Sequence, residues 1–188
     1  MSNPTPISSE PAQRILAAAQ FAAEKHAQQK RKGAAQEPYI NHLIEVANLI
    51  AGSSDTLDTE LVMAGLLHDT VEDTSVTQEE LAQRFGNDVA SLVAEVTDDP
   101  SLPKEARKVL QVKDAVKKSP RAQTLKLADK ISNLRAILAS PPVAWSLERR
   151  RQYFHWAKQV VDGLTAPNPR LKAEFDMVYA SLNNSANL

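Results

Sequence analysis

The stretch TELVMAGLLHDTVEDT, residues 59–74, decides the fold. Its TELVMAGLLH portion is almost wholly apolar on every side, the pattern of a helix surrounded by protein rather than lying on a surface. The spacing predicts that this helix runs from about Thr59 to Glu72 as the buried centre of the molecule. A central helix needs other elements around it, and the flanking sequence supplies them as helices. Ser9 is the expected N-cap, with Pro11 in the first turn, of a helix reaching about Gln28. Pro38 blocks any continuation past the basic segment QQKRKGAAQEP, and a short helix from near Tyr39 to Gly52 follows.

Beyond the central stretch, Thr77 to Glu80 has the form of a capping box and Gly86 suits that helix's end. Further helices are expected over Asn87–Val96, from Pro103 to Pro120, and over Arg121–Leu138, where Leu127, Ile131, Leu134 and Leu138 keep helical spacing. Pro141-Pro142 breaks the chain before helices near Leu147–Gly163 and Pro169–Leu182. Strand-like alternation is hard to find. The expectation is an all-α fold of about nine helices, with residues 10–188 as one domain and residues 1–9, rich in Pro and Ser, as a flexible N-terminus.

At 188 residues the chain can bury a sizeable single core. A net charge of −1 creates no global field for nucleic acid or membranes, so neither is an expected partner and any anion must be met by a local cluster. The absence of cysteine excludes disulfides and thiolate zinc sites. No apolar run approaches the length of a membrane span, and MSNPTPISSE lacks a signal-peptide pattern, so the expected location is the cytoplasm.

His68 and Asp69 stand at the end of the apolar run, with His42 upstream and Asp129 downstream. Two imidazoles and two carboxylates form a nitrogen/oxygen donor set suited to a borderline-to-hard divalent metal. Glu72 shares a helical face with both His68 and Asp69, and Asp73 lies four residues after Asp69. A metal with spare carboxylates beside it is the equipment of metal-assisted phosphate hydrolysis. On the residues alone, blander readings stay open: a hydrogen-bonded histidine at a helix end, solvated acids closing a helix, and a surface ion pair between Asp129 and Lys130.

HDTVEDT, together with the later LKLADKISNLR and the earlier QQKRKGAAQEPYINHLIEVA, resembles the HD-domain hydrolases of the guanosine polyphosphate alarmones. The likeness is to the stand-alone small alarmone hydrolases and to the hydrolase half of the RelA/SpoT proteins, from about Gln13 to Tyr153 and beyond. It implies an HD-domain helical fold, with His42, His68, Asp69 and Asp129 holding one metal ion, usually manganese; ligand chemistry also admits zinc or iron(II). It assigns Glu72 and Asp73 to catalysis and places Arg31 and Lys32 along the base and ribose of a small purine nucleotide. Tyr39, Lys104, Arg107, Lys130, Asn133, Arg149 and Tyr153 are further expected substrate contacts.

The implied reaction is hydrolysis of the 3′-pyrophosphate of (p)ppGpp to GDP or GTP and pyrophosphate, in the stringent response. Adenosine alarmones, the 2′-phosphate of NADPH, and a non-catalytic nucleotide-binding role are the alternatives. One departure is Leu43, where the family commonly has proline; it should bear on rigidity more than chemistry. His26 and His155 have no place in the motif and read as structural.

Overall fold

The computed structural model describes residues 10–183, and among these the chain is helical without a named strand. Ten α-helices follow in order: α1 Pro11–Lys25, α2 Ile40–Ala51, α3 Thr59–Leu67, α4 Thr70–Asp73, α5 Gln78–Phe85, α6 Asn87–Val96, α7 Lys104–Asp114, α8 Pro120–Ala139, α9 Leu147–Asp162 and α10 Pro169–Ala180. Single 3₁₀ turns follow α7 and α10. The nine expected helices are all present, one of them in two pieces. The all-α expectation holds.

Two helices form the centre. Helix α3 packs against α1, α2, α6 and α8, and eight of its nine residues are buried, which is why its sequence shows no polar face. Helix α8 lies against α2, α3, α6, α9 and α10 and buries a continuous run from Ala122 to Ser132. Burying side chains such as Leu66, Leu67, Leu125 and Ile131 contributes roughly 1.5–3 kcal/mol each. Gly65 lets α2 and α3 approach closely, since a Cβ there would meet Ile50 Cδ1 at 2.8 Å. Leu43, at the departure from the family pattern, is fully buried in α2 and belongs to this core.

The caps follow local chemistry. Asp58 accepts from the Leu61 N–H, Thr77 from Glu80, and Ser119 from Ala122. Gly86, at φ 93°, takes the left-handed backbone that separates α5 from α6. Two boundaries differ from expectation. Helix α1 ends at Lys25 rather than Gln28, and its N-cap is Glu10; Ser9 lies outside the described residues, as does all of the expected flexible segment 1–9.

The second difference matters more. The helix expected to run unbroken to Glu72 stops at Leu67, and α4 restarts after Asp69. The break is stitched locally: Thr70 Oγ1 donates to the Leu67 carbonyl at 2.6 Å, and the Asp73 N–H reaches the Asp69 carbonyl at 2.9 Å. His68 and Asp69 therefore occupy a joint between two helices. No helix among the described residues is long and apolar enough to cross a membrane.

Candidate metal centre and nucleotide cavity

Helices α2, α8 and the α3/α4 joint bring four polar side chains together against a largely apolar core. His42 and His68 are 3% and 5% exposed and Asp129 is 8% exposed. His42 Nε2 lies 3.6 Å from Asp69 Oδ2 and 3.4 Å from Asp129 Oδ1. His68 Nε2 lies 3.1 Å and 3.8 Å from the same two oxygens. One donor atom each from His42, His68 and Asp69 falls within 4.8 Å of the others, the spacing a metal ion needs. Asp129 completes the quartet through its contacts with both imidazoles. The blander reading of Asp129 and Lys130 as a surface pair does not hold, because both are buried.

The outer partners fix which nitrogen faces the centre. His68 Nδ1 is 2.9 Å from the Gly65 carbonyl, which can only accept, so Nδ1 carries hydrogen and Nε2 points inward to the carboxylates without a hydrogen bond. His42 Nδ1 is 2.8 Å from Ser132 Oγ, and Ser132 donates its own hydrogen to Glu45 Oε2 at 2.6 Å. The serine oxygen must then accept from Nδ1–H, leaving His42 Nε2 free toward the centre. Imidazoles oriented in this way by carbonyl and carboxylate partners suit metal ligation.

Charge agrees with geometry. Burial lowers the His68 pKa, but Asp69 and Asp129 outweigh it and push the imidazole up to about 10. Burial raises Asp69, yet His68 and His42 more than reverse it and hold the carboxyl well below its usual range; Lys130 and the imidazoles do the same for Asp129. The cluster is built to hold positive charge, and a divalent cation fits this donor set. Tyr39 donates its hydroxyl to Asp69 Oδ2 at 2.7 Å, and burial, then Asp69, push its pKa far above the usual phenol value. Asn133 donates to Asp129 Oδ1 and accepts from Arg31 Nη2 at 3.1 Å, while Lys130 Nζ reaches Asp129 Oδ2 at 3.2 Å.

Two adjoining cavities open at this centre and share Tyr39, Asn133 and Tyr153 in their walls. The smaller, about 180 Å³, holds His68, Asp69, Asp129 and Glu72. The larger, about 770 Å³, is lined by Arg31, Lys32, Lys104, Lys108 and Arg149 among others, with Asp73 at its edge. Like-charged neighbours meet there: partial burial, then Lys32, Arg149 and Lys108, depress the Lys104 pKa. A basic cavity beside a cation site suits a polyanion with an aromatic or ribose portion.

The two expected catalytic acids thus face different cavities. Glu72 is bound by Arg107 Nη1 at 2.8 Å and by the Asp98 N–H at 3.4 Å; burial, then Asp98 and Asp69, raise its pKa. Asp73 is exposed and receives Gln29 Nε2 at 2.7 Å. Arg107, expected near distal phosphates, is instead the partner of Glu72. The remaining expected contacts all line one cavity or both.

Residues without a sequence signal also enter the site. Trp145 carries the Arg149 guanidinium 4.6 Å above its ring, and Lys130 Nζ sits 4.4 Å over Trp156. Tyr153 packs between these two indoles. The helical spacing of Arg149, Tyr153 and Trp156 would have suggested a shared face. Nothing local pointed to Ser132, Glu45 or Gln29.

Residues 18–186 match the HD domain family. The chain is 46% identical over 169 residues to a protein of Drosophila melanogaster named guanosine-3′,5′-bis(diphosphate) 3′-pyrophosphohydrolase MESH1, covering 90% of this chain and 94% of that one. It is 49% identical over 166 residues to the Homo sapiens protein of the same name, covering 88% and 92%. A solved structure described as a metazoan ortholog of SpoT that hydrolyzes ppGpp and plays a role in starvation responses superposes with a TM-score of 0.87 at 44% identity, covering 93% and 98%.

Proposed function

The chain belongs to the HD domain family, and from that premise we propose that it is a metal-dependent hydrolase removing the 3′-pyrophosphate of guanosine polyphosphates. The observation that carries this reading is the junction of the two cavities. A buried pair of imidazole Nε2 atoms faces two carboxylates at one end, and a basic, aromatic-lined space of about 770 Å³ begins where that centre ends.

His42, His68, Asp69 and Asp129 would hold the ion, which we assign as manganese on the family likeness; two nitrogen and two oxygen donors with no thiolate are consistent with that ion, as they are with zinc or iron(II). A divalent cation there supplies Lewis acidity toward a phosphoryl oxygen and toward water. The chain's own groups do the rest. Arg31 and Lys32 bind along the nucleoside, and Lys104 and Arg149 neutralise phosphate charge. Glu72, its pKa raised by burial, accepts the proton of the attacking water. Asp73 orients that water from the larger cavity. The water oxygen joins the inner phosphorus, the bond from phosphorus to O3′ breaks, O3′ takes a proton, and pyrophosphate leaves.

The test is direct. Metal-stripped protein restored with Mn²⁺ is given ppGpp, pppGpp, ppApp and NADPH in parallel, and the products are separated by chromatography. Release of pyrophosphate with GDP or GTP is expected. No turnover of any of the four overturns the hydrolase reading, and turnover of ppApp or NADPH alone overturns the guanosine assignment.

A further inference from the structure

Asp73 and the Tyr39–Asp69 contact share a support behind them that the reaction as described does not use. His26, 3% exposed, sits just past the end of α1. Its Nδ1 lies 2.5 Å from Gln29 Oε1, and Gln29 Nε2 lies 2.7 Å from Asp73 Oδ2. The same imidazole stacks on Tyr39, ring centroids 5.2 Å apart and planes within 25°.

The direction of these bonds follows from chemistry. The Asp73 carboxylate can only accept, so the Gln29 amide must turn its NH₂ toward it. The amide oxygen then faces His26, whose Nδ1 must donate. His26 Nε2 is buried with no partner, consistent with a ring whose hydrogen is on Nδ1. The backbone pins Gln29 as well: its N–H reaches the His26 carbonyl at 2.9 Å and its carbonyl accepts from the Tyr39 N–H at 3.0 Å. The side chain therefore has one amide orientation.

We propose that Gln29, oriented by the buried His26, is a positioning residue that holds the Asp73 carboxylate in place for hydrolysis. The inference rests on the hydrolase reading above. Asp73 is exposed and no cation is paired with it among the described residues, so without Gln29 its carboxylate would sample several rotamers. His26 reads from the sequence as a structural histidine; the hydrogen-bond chain gives it a directional task.

The test measures kcat and KM on ppGpp with the full chain loaded with Mn²⁺. Gln29→Leu and His26→Phe, the latter keeping a ring against Tyr39 but losing the donor, should each lower kcat by about tenfold or more while KM moves by less than about twofold. His26→Asn, whose amide presents a donor near the Nδ1 position, should recover most of the loss. In an Asp73→Ala background Gln29→Leu should cost nothing further, because the group it holds is gone. Gln29 is only half-buried, so Gln29→Leu carries the test if His26→Phe does not fold. An inactive wild type overturns the hydrolase reading. An active wild type with an undiminished kcat in Gln29→Leu overturns this inference alone. So does a loss that appears in KM, or one that persists in the Asp73→Ala background, since either would make Gln29 a direct substrate contact.

Discussion

Arg107 on α7 reaches Glu72 on α4, Nη1 to Oε1 at 2.8 Å, and so ties a helix without a buried residue to the edge of the His–Asp cluster. The pair opposes the forces that raise the Glu72 pKa, namely burial and the nearby Asp98 and Asp69 carboxylates. As the proposed base, Glu72 must be ionised to accept a proton. Activity is therefore present above its raised pKa and lost as pH falls through it. Arg107→Met removes a cation that favours the ionised form, so the acid limb of the kcat–pH profile should move to higher pH. Glu72→Gln should lower kcat by about 10²- to 10⁴-fold. An unmoved acid limb in Arg107→Met would remove Glu72 from the role of base.

Ser132 holds His42 Nδ1 and is itself held by Glu45. Ser132→Ala leaves the four proposed metal ligands in place and frees the ring. Calorimetric titration with Mn²⁺ should then show affinity weakened by about 10- to 100-fold. Chelation should abolish hydrolysis in the unaltered protein, with added Mn²⁺ restoring it.

Lys32 and Lys104 line the same large cavity, where partial burial and then Lys32 depress the Lys104 pKa. Two cations held against their mutual repulsion gain by binding an anion. Lys32→Ala and Lys104→Ala should each raise KM for ppGpp by roughly tenfold, equivalent to about 1.4 kcal/mol, with a smaller change in kcat. The effect should shrink as salt is raised, because both side chains lie partly in solvent. Steady-state kinetics at two ionic strengths checks this.

Lys126 lies in the middle of α8, 6% exposed, with the Val96 carbonyl 3.3 Å from its Nζ. Burial and then Lys130 lower its pKa from 10.5 to about 8. The folded-state pKa is below the unfolded one, so the ionised group costs stability. That cost is complete below about pH 8 and disappears as pH rises toward 10.5. Lys126→Met should accordingly stabilise the fold at pH 7, by on the order of 1–3 kcal/mol, and the gain should fade toward pH 10. Denaturant unfolding of both proteins at the two pH values measures it.

Much of the fold was legible because helices announce themselves locally. The apolar run of residues 59–67, the capping box at Thr77, and the stops at Gly86 and the Pro141-Pro142 pair are patterns within a few residues. The quartet His42, His68, Asp69 and Asp129 was legible for a different reason: donor chemistry and family likeness name the groups even when the path between them is unknown. The expected geometry at His68–Asp69 was less successful. A continuous helix would aim adjacent side chains about 100° apart. The joint between α3 and α4 removes that constraint, with His68 tied to Gly65 and Thr70 tied to Leu67.

By itself the sequence determined an all-helical chain, its core helix, and which side chains have the chemistry to bind a metal and a polyanion. Tertiary structure alone decided their partners. Arg107 was equally suited to a phosphate or to Glu72, Asp129 equally to the surface or to the centre, and nothing in the basic segment singled out Gln29 until the loop after α1 met Asp73 of α4. The physical reason is range. Helical periodicity and capping act over one or two turns, whereas the bonds from Arg107 to Glu72, Gln29 to Asp73 and Ser132 to Glu45 join residues 35, 44 and 87 positions apart. Which of several chemically acceptable partners a side chain takes is settled by packing.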